Sequence, residues 1–244
     1  MGMALRKKAV VLLSGGLDSA TALAVAHKKG YAVFALSFDY GQRHRRELKS
    51  ARKLARFFKV GEHRVLRIGL GELGGSALTD TSVPFPKGKG HWRKGSSIPS
   101  TYVPARNLVF LSFATAYAET VGAEAIFIGA NAIDYSGYPD CRPQFLSAFA
   151  KAAGKSTRMG VSGRPLKIEA PLIQLSKAAI IRLGISLGVP FGLTWSCYVG
   201  GKRPCGRCAS CQIRKKGFDE AGMADPLESA GAPRARKKKR GEKP

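Results

Sequence analysis

The sequence predicts an α/β fold in which helices cover both faces of a parallel sheet. Short, almost continuously apolar runs alternate with segments of helical periodicity over the first 190 residues or so. Strands that are apolar without interruption are typical of a parallel sheet buried on both sides. The chain has 244 residues, 44% of them hydrophobic, which is enough for one large domain with a small appendage.

The predicted elements follow in regular β–α order. We expect strands at residues 9–13, 31–39, 63–68, 123–131 and 166–173. We expect helices at residues 19–29, 45–58, 107–122, 144–154 and 177–188, the last of them capped by Ser176. The helix at 107–122 is so apolar that burial around most of its circumference is expected. In such sheets ligands bind beyond the carboxyl ends of the strands.

Composition divides the chain into three parts, and the first of them contains a distinct insertion. Residues 1–192 form the main domain, and within it residues 70–103 are dense in Gly, Ser, Thr and Pro. We expect a mobile flap near the site there, with a passive insertion as the alternative. Residues 193–226 hold a cysteine cluster, and residues 227–244 are expected to be a disordered basic tail.

The chain is strongly basic, with 41 Lys and Arg against 16 Asp and Glu, a formal net charge of +25. Such a field attracts nucleotides and nucleic acid, but a solvated basic surface is the alternative. Contact with nucleic acid through the tail is therefore possible but not required. No apolar run approaches the roughly 20 residues of a membrane span, and the one at the N-terminus stops at Ser14. We expect a cytoplasmic protein without a membrane partner.

The segment "SGGLDS", residues 14–19, lies between the first strand and the first helix. Gly15 and Gly16 allow a tight turn whose N–H groups approach an anion, and the positive end of the helix adds to the attraction. Ser19 or Asp18 is expected to cap that helix, and Asp18 to bind Mg²⁺ beside the phosphates. An ordinary turn is the alternative. The lysine of a Walker loop is absent here.

A second segment, "GKST" at residues 154–157, looks like half of a Walker motif. The position that would need the first glycine of that motif is Phe149, so we discount it.

The hexamer resembles the signature of the PP-loop ATP pyrophosphatases, whose loop holds the pyrophosphate that leaves as ATP adenylates an oxygen. The resemblance implies a Rossmann-like fold of the adenine nucleotide alpha hydrolase type. It also implies an ATP site at Leu13, Ser14, Gly15, Gly16, Leu17, Asp18 and Ser19.

Longer stretches are similar to the 7-cyano-7-deazaguanine synthase family of the queuosine and archaeosine pathways, over about residues 10–226. The stretches are "LSFDYGQRHRREL", "YVPARN", "GANAIDYSGYPDCRPQF", "APLIQLSKAAI" and "LTWSCYVGGKRPCGRCASC". The resemblance implies an ATP-dependent carbon–nitrogen ligase that converts 7-carboxy-7-deazaguanine and ammonia to the nitrile through adenylated acid and amide intermediates. It also implies Mg²⁺ with ATP, structural zinc and a homodimer.

Charge that develops on phosphate must be stabilised by cations, so the catalytic candidates are Asp18 with Mg²⁺, Arg106 and Lys177. The segment after the fourth strand is rich in polar and aromatic groups that suit a guanine-like ring and a carboxylate, although a plain turn is the alternative. The substrate-binding candidates there are Asp134, Tyr135, Tyr138, Asp140 and Arg142.

Four of the five cysteines have the spacing C-x7-C-x2-C-x2-C, namely Cys197, Cys205, Cys208 and Cys211. Four thiolates so spaced can surround a structural Zn²⁺, and an iron–sulfur cluster is the alternative. Cys141 stands apart and is interpreted as a packed residue rather than a nucleophile.

One departure and two rival functions qualify the resemblance. After "FLSAF" the family has a pattern like Asn-Leu-Ala-Thr, but this chain has Gly154, Lys155 and Ser156 before Thr157, which puts substrate contacts from that helix in doubt. The first rival is a PP-loop enzyme that modifies tRNA itself, by thiolation or lysidine formation. The second is a nucleic-acid-binding zinc module with an inactive nucleotide fold.

Overall fold

The computed structural model describes residues 6–43, 45–83, 98–133 and 138–229. Five strands form one sheet in the order β3-β2-β1-β4-β5, and every neighbouring pair is parallel. The strands are β1 Lys8–Leu12, β2 Ala32–Asp39, β3 Glu62–Arg67, β4 Ala125–Phe127 and β5 Lys167–Glu169. The prediction of a parallel α/β fold is confirmed.

Eight α-helices alternate with and follow these strands in the described part of the chain. They are α1 Leu17–Lys28, α2 Arg46–Phe57, α3 Arg106–Val121, α4 Pro143–Ser156, α5 Arg158–Val161, α6 Lys177–Ser186, α7 Ala209–Ala221 and α8 Pro226–Ser229. Ser176 caps α6 as predicted, because its side chain accepts a hydrogen bond from the N–H of Ala179. None of these helices is long and apolar enough to cross a bilayer.

Alternation along β1 separates two cores. Ala9, Val11 and Leu13 face one side of the sheet, where α1, α2, α6 and α7 pack. Val10 and Leu12 face the other side, where α3 and α4 pack. Because both faces are covered, the strands have to be apolar on both sides, which explains their sequence pattern.

The strand order positions a crevice. The chain runs outward from β1 to β3 and then returns past β1 to β4 and β5. The connections after β1 and β4 therefore leave in opposite directions, and the gap between them is where ligands bind in doubly wound sheets. Residues 13–16 and 128–131 lie on the two sides of this gap.

Two predictions of the secondary structure are wrong in extent. Strands β4 and β5 have three residues each, shorter than predicted. Ile128 and Ala130 after β4 border the crevice, whereas Leu172 after β5 is buried in the core. Helix α3 is not buried around most of its circumference: Leu108 is 43% exposed and Phe113 41%. The helix packs on the sheet through one face only, with its outer face left in contact with solvent in this single chain.

The two ends of the predicted flap pack against the domain. Ala77 and Leu78 are buried, and the N–H of Ala77 donates to the carbonyl of Ser100 at 2.8 Å. Residues 84–97, the middle of the flap, lie outside the described residues, so its mobility stays a prediction. Most of the predicted tail, residues 230–244, lies outside them too, and residues 227–229 belong to α8.

Candidate active site

A cavity of about 220 Å³ occupies the crevice at the carboxyl ends of β1, β2 and β4. It is lined by the loop after β1, the segment after β4, the first turns of α1, α3 and α6, and residues near the cysteines. A larger groove of about 970 Å³ runs between α4 and the starts of β4 and β5, but it holds none of the predicted site residues. The chemistry therefore points to the smaller cavity.

The phosphate loop, residues 13–19, is closed by its own serines. Ser19 Oγ accepts hydrogen bonds from the N–H of Gly15 at 3.2 Å and from Ser14 Oγ at 3.1 Å, and it donates to the carbonyl of Gly16 at 3.0 Å. The prediction that Ser19 or Asp18 caps α1 is wrong. The helix begins at Leu17, its cap is Gly16 without a side-chain bond, and both residues lie in the first turn.

Two glycines allow the loop to lie against its neighbours. Gly15 has φ +92°, and a Cβ there would lie 2.2 Å from the carbonyl oxygen of Glu47 in α2. At Gly129, after β4, a Cβ would lie 2.9 Å from the backbone between Asp18 and Ser19. Side chains at either position would push the loop away from the helix or strand that supports it. The glycines thus fix the position of the loop in the crevice.

Asp18 and Lys177 form an ion pair at the edge of the cavity, although 159 positions separate them. The Lys177 ammonium donates to Oδ1 of Asp18 at 2.6 Å and to Oδ2 at 2.8 Å. The Lys177 side chain is 8% exposed and that of Asp18 21%, so the pair is shielded from water without being sealed. Two of the three predicted catalytic residues are therefore in direct contact.

Arg106, the third catalytic candidate, is the first residue of α3 and lines the same cavity. Ala105 before it has φ +52°, a left-handed conformation that a residue with a Cβ adopts only under local strain. Burial lowers the pKa of Arg106, but its interactions with the neighbouring acidic groups of Tyr40, Tyr138, Cys141 and Asp140 outweigh this effect, and its pKa is raised. The guanidinium is thus a permanent cation facing the crevice.

The predicted substrate-binding residues separate into three groups. Tyr138 lines the cavity and its hydroxyl lies 2.8 Å from Thr101 Oγ1. Asp140 is buried, and its Oδ2 accepts the N–H of Asn107 at 2.9 Å, so it binds the N-terminus of α3. Arg142 is exposed and does not line the cavity. Asp134 and Tyr135 lie outside the described residues.

Three weak acids around Arg106 are kept neutral by burial. Burial raises the pKa of Tyr40 to about 12 and that of Cys141 to about 11, and it also raises the pKa of Tyr138. Asn107 Nδ2 donates to Cys141 Sγ at 3.2 Å. A protonated thiol is a poor nucleophile, which supports the interpretation of Cys141 as a packed residue.

Sequence reasoning missed the end of β2. Ser37 and Tyr40 line the cavity, and Ser37 Oγ donates to the carbonyl of Leu13 while His63 Nε2 lies 2.7 Å from it. Gln42 orders the next turn by accepting the N–H of Tyr40 at 2.8 Å. The signal was present, since "SFDYGQ" follows the carboxyl end of a predicted strand, as the phosphate loop does.

The four clustered cysteines converge in space. One ligand atom from each lies within 4.8 Å of all the others. Four sulfurs at the zinc bond length of about 2.3 Å stand about 3.8 Å apart, so a small contraction makes a tetrahedron. The N–H groups of Cys205 and Cys208 point to the sulfurs of Cys197 and Cys205 at 3.3 Å, an arrangement that stabilises thiolates. The donor set fits a tetrahedral metal with no open position.

The chain matches the family model described as queuosine biosynthesis protein QueC over residues 8–222. It is 58% identical over 226 residues to the 7-cyano-7-deazaguanine synthase of Anaeromyxobacter dehalogenans strain 2CP-C, covering 92% of this chain and 96% of that one. It is 57% identical over 222 residues to the protein of the same name from Acetivibrio thermocellus, covering 91% and 97%.

The fold is similar to that of a 4-thiouridine synthetase solved as an RNA complex with bound ATP, at TM-score 0.51 and 20% identity, covering 88% of this chain and 50% of that one. That likeness concerns the fold alone, whereas the sequence similarity to the synthases extends over almost the whole chain. The chain belongs to the QueC family.

Proposed function

We propose that the protein is a 7-cyano-7-deazaguanine synthase, which uses ATP to convert 7-carboxy-7-deazaguanine and ammonia to the nitrile. The observation that carries the proposal is the phosphate loop with the Asp18–Lys177 pair at the crevice, in a chain of the QueC family. The cavity offers a nucleotide the start of α1 and two cations, and burial keeps the thiol of Cys141 in the cavity protonated.

We place the β and γ phosphates of ATP at the start of α1 and beside Gly15 and Gly16, whose N–H groups donate to Ser19 Oγ and Ser14 Oγ in the structure and would turn to the phosphates on binding. Lys177 and Arg106 then offset the charge that grows on the departing pyrophosphate. Asp18 is the carboxylate positioned to hold Mg²⁺, which supplies further neutralisation when bound. Asp18 oxygens already engage Lys177, so the metal would share this carboxylate with the lysine.

The chemistry needs two rounds of adenylation in one cavity. The substrate carboxylate attacks the α-phosphate of ATP, pyrophosphate leaves, and ammonia displaces AMP to give the amide. The amide oxygen attacks a second ATP, and loss of AMP with two protons leaves the nitrile. Each carboxylate oxygen departs on one AMP. Two AMP per nitrile, each carrying one oxygen from an ¹⁸O-labelled carboxylate, is the expected mass-spectrometric result.

The substrate ring is placed beside Tyr138, which borders the cavity next to Arg106. Asp140 holds the start of α3 in the structure, so we assign it to the positioning of Arg106 rather than to the edge of the ring. Asp134 and Tyr135 stay candidates for that edge, and Arg142 stays a candidate only if its exposed side chain turns inward.

Zinc is the metal proposed for Cys197, Cys205, Cys208 and Cys211, with a structural role, because four thiolates complete its coordination. The iron content and visible absorbance of the purified protein would distinguish an iron–sulfur cluster from zinc. A homodimer is proposed from the family resemblance, with the exposed apolar face of α3 as a surface available for it. A cytoplasmic location agrees with five free cysteines.

The test is mass spectrometry of the purified protein incubated with 7-carboxy-7-deazaguanine, ammonium, Mg²⁺ and ATP. Nitrile and AMP are expected, and Asp18→Asn should lower the rate by at least about 100-fold. Asp219→Asn, which alters an exposed carboxylate paired with Lys215, is the matched control and should leave the rate unchanged. Unchanged acid with intact ATP would contradict the proposal and make tRNA the next substrate to test.

A further inference from the structure

The cysteine cluster and the phosphate loop meet at one residue, Trp195. Its backbone N–H donates to the carbonyl of Gly15 at 2.9 Å. Its indole Nε1–H donates to the carbonyl of Cys197 at 3.0 Å. Trp195 is 3% exposed, so both hydrogen bonds are protected from competition by water. A single buried residue therefore contacts the loop on one side and the backbone of a metal ligand on the other.

Arg46, the first residue of helix α2, contacts the same tryptophan. The Arg46 guanidinium lies 4.2 Å from the centre of the indole ring, a cation–π contact. Arg46 Nη1 also donates to the carbonyl of Gly201, between the first and second cysteines, at 2.9 Å. The next residue, Glu47, has its carbonyl against Gly15. The start of α2, the loop and the cysteine-bearing segment are thus joined around one ring.

We infer that Trp195 is a positioning residue that couples metal at the cysteine cluster to the order of the phosphate loop. Ligated metal fixes the backbone at Cys197 and with it the carbonyl that the indole needs. When the metal leaves, four free thiols hold this backbone less firmly, the indole loses its fixed acceptor, and the bond to Gly15 weakens. The metal then contributes to the site without touching any reactant.

The coupling has a consequence for nucleotide binding, and this half of the inference rests on the proposed function. Ser196 and Tyr198, which flank Cys197, line the cavity together with Trp195. Loosening of this segment removes one side of the cavity as well as a support of the loop. Metal loss should therefore weaken ATP binding by about tenfold or more, in proportion to the loop order that is lost.

The first experiment uses no nucleotide. Hydrogen–deuterium exchange of the full chain is followed by mass spectrometry, metal-loaded and after chelation, in peptides that cover residues 13–20 and 194–197. We expect exchange in both peptides to rise by at least about tenfold on chelation, while a peptide from β3 stays protected and shows that the domain is still folded. Unchanged exchange at residues 13–20 after proven metal loss would overturn the inference.

Variants distinguish the contribution of Trp195 to loop order from the contribution of the metal. Trp195→Phe keeps the cysteines and a ring but loses the indole donor, so we expect full metal content with faster exchange at residues 13–20. Arg46→Met should act in the same direction. Its matched control is Arg64→Met, which removes an arginine that lies 4.8 Å from the ring of Tyr117 and pairs with Glu62 in β3, and it should leave the loop unaffected. Equal behaviour of the two arginine variants would refute the coupling through Trp195.

The second experiment measures ATP affinity by calorimetry for the same proteins. Weaker binding by chelated wild type and by Trp195→Phe supports the inference. Unaltered affinity in a protein whose loop exchanges faster would remove the nucleotide half of the inference. If metal-loaded wild type binds no ATP, the proposed function fails, and the exchange experiment still decides the coupling.

Discussion

The two sides of the cavity are built in opposite ways. The phosphate loop is seven consecutive residues, 13–19. Its own glycines and serines shape its turn, and the hydrogen bond from Trp195 to Gly15 supports it from outside. The facing side gathers Tyr40, Arg106, Tyr138 and Trp195 from four separate parts of the chain. A contiguous motif can be judged from its local sequence, whereas a side assembled from distant residues depends on contacts that no local pattern encodes.

The largest expected effect comes from Gly15→Ala, which changes the side of the cavity formed by the phosphate loop. Gly15 and Gly30 both have left-handed backbones, with φ +92° and +82°, but a Cβ at Gly15 meets α2 at 2.2 Å and one at Gly30 meets nothing within 4 Å. We expect a loss of about 4 kcal/mol in the free energy of unfolding for Gly15→Ala and about 1 for Gly30→Ala. Equal losses in urea unfolding would show that the loop has room to shift.

The next effect concerns the assembled side, where Arg214 and Asp225 form a buried pair with side chains 6% and 5% exposed. Arg214 also donates to Thr194 Oγ1 at 2.7 Å, next to Trp195. Asp225→Asn leaves the arginine buried without its counter-charge, so we expect a loss of about 3 kcal/mol in the free energy of unfolding.

The control is Glu169→Gln, which breaks the partly exposed pair with Lys29 and should cost under about 1 kcal/mol. A comparable cost for the two variants, measured by urea unfolding, would contradict the view that Arg214 anchors this side.

The smallest expected effect concerns the chemical reactivity of Cys141, which lines the cavity. Because burial raises the pKa of Cys141 to about 11, only about one thiol in a thousand is ionised at pH 8. Iodoacetamide should leave Cys141 unmodified at pH 8 in metal-loaded protein, and its labelling should rise as pH increases toward 11. Mass mapping of the labelled peptide measures this, and rapid labelling at neutral pH would show a nucleophile where we describe a packed thiol.

The same contrast explains which parts of the site could be predicted from the sequence. The loop, the place of Arg106 at the start of a helix, Lys177 after Ser176 and the cysteine spacing all follow from local patterns, and the structure has them where expected. The bond between Lys177 and Asp18 joins elements far apart in the chain, and no periodicity encodes it.

Single turns explain where the structure differs from what the local sequence suggests. Ser19 or Asp18 was expected as a cap, but α1 begins at Leu17, before both, since Gly16 already has the extended backbone that a cap requires. Arg142 precedes α4 at a turn that leaves its side chain in solvent, while Asp140, two residues before, is buried. Polar residues at such close spacing look alike in a sequence and differ only once the backbone direction is known.

The crevice between β1 and β4 also has a consequence for the order in which substrates bind and products leave. In the proposed arrangement the nucleotide lies along the phosphate loop and the ring lies beside Tyr138, so spent AMP would exchange for fresh ATP without displacing the organic molecule. We then expect a reaction with two activations to behave as a processive cycle, in which the amide intermediate stays bound between the two. Competition between its escape and the next nucleotide sets the ratio of amide to nitrile released, and that ratio should fall as the ATP concentration rises.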